Sequence, residues 1–399
     1  MIGKRNNMIG KRNKPGREKP STKSVPYKPM RIAVVGTRGI PGVQGGVETY
    51  CENLYPLLVD QGCEITVYTR AHYVDNSMAS FQGVRLVHLR CLRQKYIEAA
   101  LHTLVAVIHA RCHGQDIIHF QAVGPCIFVP LAKLLGMKTV VRHVGPDYER
   151  KKWGRFARTI LRFGESCAVS SADAITCLTP HIEGLIRKRF LRRDLQIIPN
   201  ATPIVSPLES SDILQKHSLQ KTKYILSVGR FVPEKGLHIL IRAFQKSMGQ
   251  SGWKLVLTGD STFKGKYKQE LYRHLGEDPH VVLTGVLKGR PLAELYSHAG
   301  LFVLPSFHEG MSFSLLEALS YGLPCLVSDI PSNRALDIEM TRYFKVGSVE
   351  HLAEQLVQHS LTPYTAERRT KQIEWIRRDY QWKCVAKSML AVFRGVIEA

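Results

Sequence analysis

Short apolar runs alternate with amphipathic stretches along most of the chain. Runs at 30–36, 64–69, 84–88, 116–120, 138–141, 173–178 and 196–198 have the length of buried strands. The stretch 47–61 repeats its apolar positions at helical spacing instead, and Gly62 offers a stop. A second series of strand-like runs lies at 224–229, 254–258, 281–284, 301–304 and 325–328, with helical stretches at 237–245 and 292–299. Buried apolar runs that alternate with helices predict parallel sheets covered on both faces, so the chain reads as two doubly wound α/β domains. The expected boundaries are a tail over 1–29, a first domain over 30–204, a second over 205–379 and a terminal helical segment over 380–399. Residues 204–222, rich in Ser, Leu and Gln, read as the linker with a short helix.

Composition agrees with two cores, since 399 residues exceed what one core normally serves and 44% are hydrophobic. A formal net charge of +23 calls for an acidic partner, which charge alone leaves open among nucleic acid, an anionic membrane surface and a phosphorylated substrate. Part of that charge sits in the tail, where nine lysines and arginines face the single Glu18 and Met1-Ile-Gly-Lys-Arg-Asn6 recurs as Met8-Ile-Gly-Lys-Arg-Asn13. The tail is expected to be disordered, as a polybasic membrane contact or as a duplicated start without a role. Nine scattered cysteines, with no C-x-x-C pair and no His/Cys cluster at zinc-ligand spacing, point to reduced thiols in the cytoplasm. No apolar run approaches the roughly 20 residues that span a bilayer, so membrane contact is expected only at its surface, on the inner face. One stretch suits that surface: Trp153, Phe156, Ile160 and Phe163 recur at helical spacing among Arg155, Arg158 and Arg162. A domain helix with one buried face fits the same pattern.

The chemistry concentrates where strands give way to loops. Between the runs at 301–304 and 325–328, Glu309 and Glu317 bracket a loop whose amides at Gly310, Met311, Ser312 and Phe313 would open a helix. Amides at a helix N-terminus stabilise an anion, so this is expected to be a nucleotide-diphosphate site with two carboxylates beside it. After the run ending at Gly229, Arg230 and Lys235 stand five residues apart in another strand-to-helix loop, where both can reach one diphosphate. In the first domain, Gly45-Gly46 opens the helix and lets backbone approach a phosphate, unless these glycines only form a surface turn. The Gly36-Thr-Arg-Gly39 spacing is not the dinucleotide fingerprint, which disfavours a dehydrogenase. His119, Gln121, His143 and Asp147 fall at the carboxyl ends of later strands and face the expected acceptor side. His119 reads either as a satisfied core histidine or as a ligand contact.

Together, Glu309 and Glu317 with seven residues between them and Gly322-x-Pro324 beyond, Gly229-Arg230-x-x-x-x-Lys235-Gly236, and the string Gly39 to Glu48 resemble the family 4 retaining glycosyltransferases. Within that family they resemble a bacterial surface-polysaccharide subgroup. The resemblance runs over about 30–397 and implies the GT-B fold: two Rossmann-like domains facing a cleft, with a terminal helix at 385–397 that crosses back to the first domain. It implies transfer of a hexose from a nucleoside-diphosphate sugar to a saccharide or polyprenyl-diphosphate-linked acceptor, with no separate cofactor. Arg230 and Lys235 would hold the diphosphate, Glu309 the donor sugar and Glu317 the ribose, while Asp260 and Val286 lie in segments that resemble the nucleotide-binding turns. Gln121 stands where the family commonly has a second histidine, Val144 takes another usual histidine position and Ala201 replaces a glycine. No Asp-x-Asp pair is present to hold a metal on a nucleotide-sugar, so metal independence is expected. A sugar-nucleotide epimerase on the same fold, or a noncatalytic binder of membrane or nucleic acid, are the other readings. No nucleic-acid partner is expected, because no RNP-like or C2H2 motif occurs.

Overall fold

The computed structural model describes residues 29–399 apart from 93, 95, 96, 150–152, 261–265, 340, 341 and 363. The basic tail therefore lies outside the described residues, as do Lys151 and Lys152. Eight strands form the first sheet: β1 Arg31–Val35, β2 Glu64–Arg70, β3 Ser80–Phe81, β4 Val84–Leu89, β5 Ile117–Gln121, β6 Lys138–His143, β7 Ala174–Cys177 and β8 Leu195–Ile197. Their order is β3-β4-β2-β1-β5-β6-β7-β8, parallel throughout except for the short edge pair β3 and β4. Six strands form the second: β9 Tyr224–Val228, β10 Lys254–Thr258, β11 Val281–Gly285, β12 Leu301–Leu304, β13 Cys325–Ser328 and β14 Tyr343–Phe344, in the order β11-β10-β9-β12-β13-β14.

The central strands are apolar on both faces because helices cover both faces. Ile32, Ala33, Val34 and Val35 of β1 are wholly buried, as are Phe302 and Val303 of β12. Strand order reverses between β1 and β5 in one sheet and between β9 and β12 in the other. Loops leaving these strands part at the carboxyl edge, which is where open α/β sheets bind ligands.

The chain crosses between domains twice, side by side. The amide of Thr202 donates to the Tyr380 carbonyl at 2.9 Å, and Thr202 bridges to Gln381. Beyond that crossing the terminal helix Trp382–Glu398 is longer than the stretch expected from periodicity. Its Trp382, Val385, Met389 and Phe393 share one core with Ile32 and Val34 of β1 and with Tyr50 and Leu54 of the helix Gly46–Val59. Each such side chain contributes about 1.5–3 kcal/mol on burial.

The helix Arg155–Ser171 fits a domain helix with one buried face over its second half. Its buried residues are Gly164, Glu165, Ala168 and Val169, all in its second half. Phe156 is 80% and Phe163 62% exposed, so these two rings are left largely uncovered by the domain.

Candidate active site

A cleft of about 1370 Å³ separates the two carboxyl edges. Gly45, Gly46, Gly229, Arg230, Lys235, Val286, Glu309, Gly310, Met311, Ser312, Phe313, Glu317 and Asp147 all line it. Asp260, His119, Gln121 and His143 do not.

The second-domain wall is built from close backbone approach. Gly259, at φ +137°, lies so near the Gly229 carbonyl that a Cβ would collide with it, and a Cβ on Gly236, at φ +63°, would meet the Pro305 carbonyl. These contacts press the loop after β9 against the loops after β10 and β12. The Lys235 stem then passes over Gly229, where a Cβ would come 3.6 Å from Lys235 Cε. Lys235 Nζ donates to Glu309 Oε1 at 2.6 Å, and the Ser306 hydroxyl donates to the same oxygen at 2.6 Å. An ammonium has three N–H donors, so this contact leaves capacity for a ligand anion. The helix Phe313–Ser320 starts beside them, and the amides of its first turn have no intrahelical acceptor. Glu317 lies one turn further on. The Tyr296 hydroxyl donates to Glu317 Oε2 at 2.8 Å, while burial pushes the Glu317 carboxyl up to about 7.

Facing this wall, the glycine loop is clamped from behind. Arg38 donates its amide and its Nε to Glu48 Oε1 at 3.0 and 3.1 Å, and Nη2 donates to Oε2 at 3.0 Å. A Cβ on Gly45 would strike that pair, whereas Gly46 faces the Phe313 ring of the other domain. Lys288 Nζ reaches across to the Gly42 carbonyl at 3.0 Å.

Of the four residues expected on the acceptor side, Asp147, in the short turn Asp147–Glu149, is the one that lines the cleft. His119 is fully buried, with Nδ1 3.0 Å from the Tyr55 hydroxyl and its ring edge-on to Phe393. Burial pushes it down to about 3, so it is a neutral core histidine and not a contact for an anionic acceptor. Gln121 donates to the Tyr55 hydroxyl at 2.7 Å, also beneath the floor. His143 Nε2 lies 2.9 Å from Glu165 Oε1, and Glu165 also accepts from Tyr148 and Arg189. These three expected contacts are supports for the loops above them, because their strand positions turn the side chains into the domain. Asp260 pairs with Lys268 at 2.7 Å, and its carbonyl accepts from the Phe231 amide at 3.1 Å. It therefore steadies the Arg230 loop from outside the cleft.

Arg142 and Asn200 are among the lining residues that the sequence reading did not single out. Arg142 is 2% exposed, lies 3.5 Å over the Tyr50 ring and donates to Asn200 Oδ1 at 2.5 Å. Asn200 Nδ2 in turn donates to the Met311 carbonyl at 2.8 Å, which ties the first-domain floor to the anion loop. An arginine directly after the buried pair Val140-Val141 of β6 was the available signal.

Residues 45–201 match the family described as "Glycosyl transferase 4-like domain", and 210–375 match "Glycosyl transferases group 1". Its two domains are those of family 4-type GT-B glycosyltransferases. The sucrose-phosphate synthase of Thermosynechococcus elongatus superposes on these glycosyltransferase domains with a TM-score of 0.79 at 19% identity, covering 92% of this chain and 99% of that one. HepE of Anabaena, in a complex with UDP and glucose, gives a TM-score of 0.75 at 16% identity, covering 92% and 99%. At such identities the likeness shows the fold. By sequence, the glycosyltransferase chain is 37% identical over 108 residues to an uncharacterized glycosyltransferase of Methanocaldococcus jannaschii, 27% of each chain. It is 25% identical over 319 residues to the UDP-Gal:alpha-D-GlcNAc-diphosphoundecaprenol alpha-1,3-galactosyltransferase of Escherichia coli, 77% of each. The chain spans between 27% and 64% of the length of several other curated relatives.

Proposed function

We propose that this protein transfers a hexose from a nucleoside-diphosphate sugar, with retained anomeric configuration, to a lipid-linked saccharide in surface-polysaccharide synthesis. One observation carries the reading: Lys235, Glu309 and the first turn of the Phe313–Ser320 helix converge on one wall of the cleft, with Arg230 beside them and Glu317 one turn deeper. A diphosphate held by Arg230, Lys235 and the amides of 310–313 leaves with its charge already neutralised. Charge placed where it develops in the transition state is usually the largest catalytic contribution. Glu309 holds Lys235 in place and faces the donor sugar, and Glu317 accepts from the ribose hydroxyls. The acceptor's proton passes to the departing phosphate on the same face of the sugar. Because the cation pair carries the leaving group, donor activation needs no metal. The Escherichia coli relative, whose name specifies a UDP-sugar donor and a diphosphoundecaprenol-linked acceptor, supports this acceptor class.

The exposed aromatic face of the Arg155–Ser171 helix, with its arginines, suits the anionic inner membrane surface where such an acceptor sits. No helix among the described residues is long and apolar enough to cross a membrane.

A thermal-shift screen of UDP, GDP, ADP and dTDP, with and without EDTA, tests the donor half. One of these should raise Tm in both conditions, and Lys235→Ala should weaken its binding and lower kcat by about 10²–10³, the usual loss for one such donor. If none binds while RNA does, the transferase reading fails.

A further inference from the structure

Away from the donor wall, two loops at the carboxyl edge of the first sheet bring together a histidine, a cysteine and a glutamate. His72 follows β2, Cys91 follows β4, and Glu98 opens the helix Glu98–Cys112. One ligand atom from each lies within 4.8 Å of the other two. His72 Nε2 already stands 3.3 Å from Glu98 Oε1. Glu98 is 8% exposed and the other two are half-buried, so the cluster is a built feature and not a chance meeting of surface side chains. His72 and Glu98, with Arg70, also line the acceptor-side rim of the cleft.

We propose that His72, Cys91 and Glu98 form a zinc site, a proposal that stands independently of the transferase reading. One nitrogen, one sulfur and one oxygen are the mixed donor set that zinc accepts, whereas magnesium and calcium take oxygen alone. In tetrahedral zinc, with bonds of about 2.0–2.3 Å, neighbouring ligand atoms lie about 3.3–3.7 Å apart. The observed spread needs a contraction of roughly 1 Å, within reach of side-chain rotation.

Charge favours the site as well. On binding, the Cys91 S–H bond breaks, its proton passes to solvent and a Zn–S bond forms, with no change of oxidation state. Thiolate and carboxylate then balance the dication. Arg70 Nη1, 3.0 Å from Glu98 Oε1, therefore faces a neutral cluster and serves to orient the carboxylate. Three protein ligands leave the fourth position open towards the cleft, for water or an oxygen of the acceptor. Bound metal would pin the loops after β2 and β4 to the start of the Glu98–Cys112 helix and so shape the acceptor entrance.

The test uses the full chain, stripped with a chelator, re-equilibrated with zinc and analysed for metal. About one zinc per chain is expected. In competition with a chromophoric chelator, His72→Ala and Cys91→Ser should each lose affinity by more than about a hundredfold, the upper range for outer-shell changes. Cys112→Ser and Cys384→Ser, at exposed thiols, should keep it. Cobalt loaded in place of zinc should give a thiolate charge-transfer band that Cys91→Ser abolishes. Wild type that holds no zinc, cobalt protein without the band, or zinc lost with Cys112 or Cys384 instead of Cys91 overturns the proposal.

Discussion

Burial pushes the Glu317 carboxyl up to about 7 from an ordinary 4.5, although its proposed role is to accept from a ribose. The sign of the consequence follows from proton count. Between those two values the folded state holds a proton that the unfolded chain has released, so this group's contribution to stability falls as pH rises through the window. Above 7 a buried carboxylate remains, eased by the Tyr296 hydroxyl. Glu317→Gln should therefore melt a few degrees higher than wild type at pH 8, the response to about 1–2 kcal/mol in a domain of this size, with the gap closing towards pH 5. The nucleotide should respond in the opposite sense. Its affinity for wild type should rise from pH 6 to 8 as the acceptor ionises, while the glutamine variant binds about tenfold more weakly and without that slope. Calorimetry across pH 5–8 reads both. Glu317 was legible in the sequence because it recurs eight residues after Glu309. Tyr296 was not, since nothing in its own helix marks which neighbour its hydroxyl meets.

At the level of elements, the helix Arg155–Ser171 shows what periodicity can and cannot say. Spacing of Trp153, Phe156, Ile160 and Phe163 marks a face, and the helix forms there. What covers that face depends on the neighbours: the domain packs on Gly164, Ala168 and Val169, one half of the helix along. The first half is left presenting aromatic rings and guanidinium groups outward. Changing Phe156 and Phe163 together to Asp should cut binding to phosphatidylglycerol vesicles at least about tenfold, by loss of apolar burial and by charge. The nucleotide-induced Tm shift should be unchanged. Vesicle binding that survives the double change would assign the membrane contact elsewhere. The strands were read more readily, because β1, β9 and β12 are short, mostly apolar runs that end at a glycine or proline, too short for a helix.

On the scale of the whole molecule, the two domains meet through backbone as well as side chains. A Cβ on Gly310 would collide with the Val144 carbonyl across the cleft, next to the Asn200 bond to the Met311 carbonyl. Gly310→Ala should thus hold the domains apart and lower kcat by about 10–100-fold, the usual penalty for misplacing reacting groups by an ångström. Nucleotide affinity, which rests on the second domain, should change only a few-fold, and small-angle scattering should show a larger radius of gyration. Contacts at this scale are where sequence reading falls short. Val144 looked like a missing histidine but is also the surface on which Gly310 closes. His72 lies too far from Cys91 and Glu98 along the chain for a ligand motif, and only the meeting of the loops after β2 and β4 joins the three. The crossing of the terminal helix has a last consequence, one of timing. A ribosome makes the first domain early, yet Trp382, Met389 and Phe393, which complete its core, are translated only after the whole second domain. Until they emerge, the nascent first domain carries an open apolar groove beside Tyr50 and Leu54, a natural hold for a chaperone, and the domain expressed alone should keep that groove exposed.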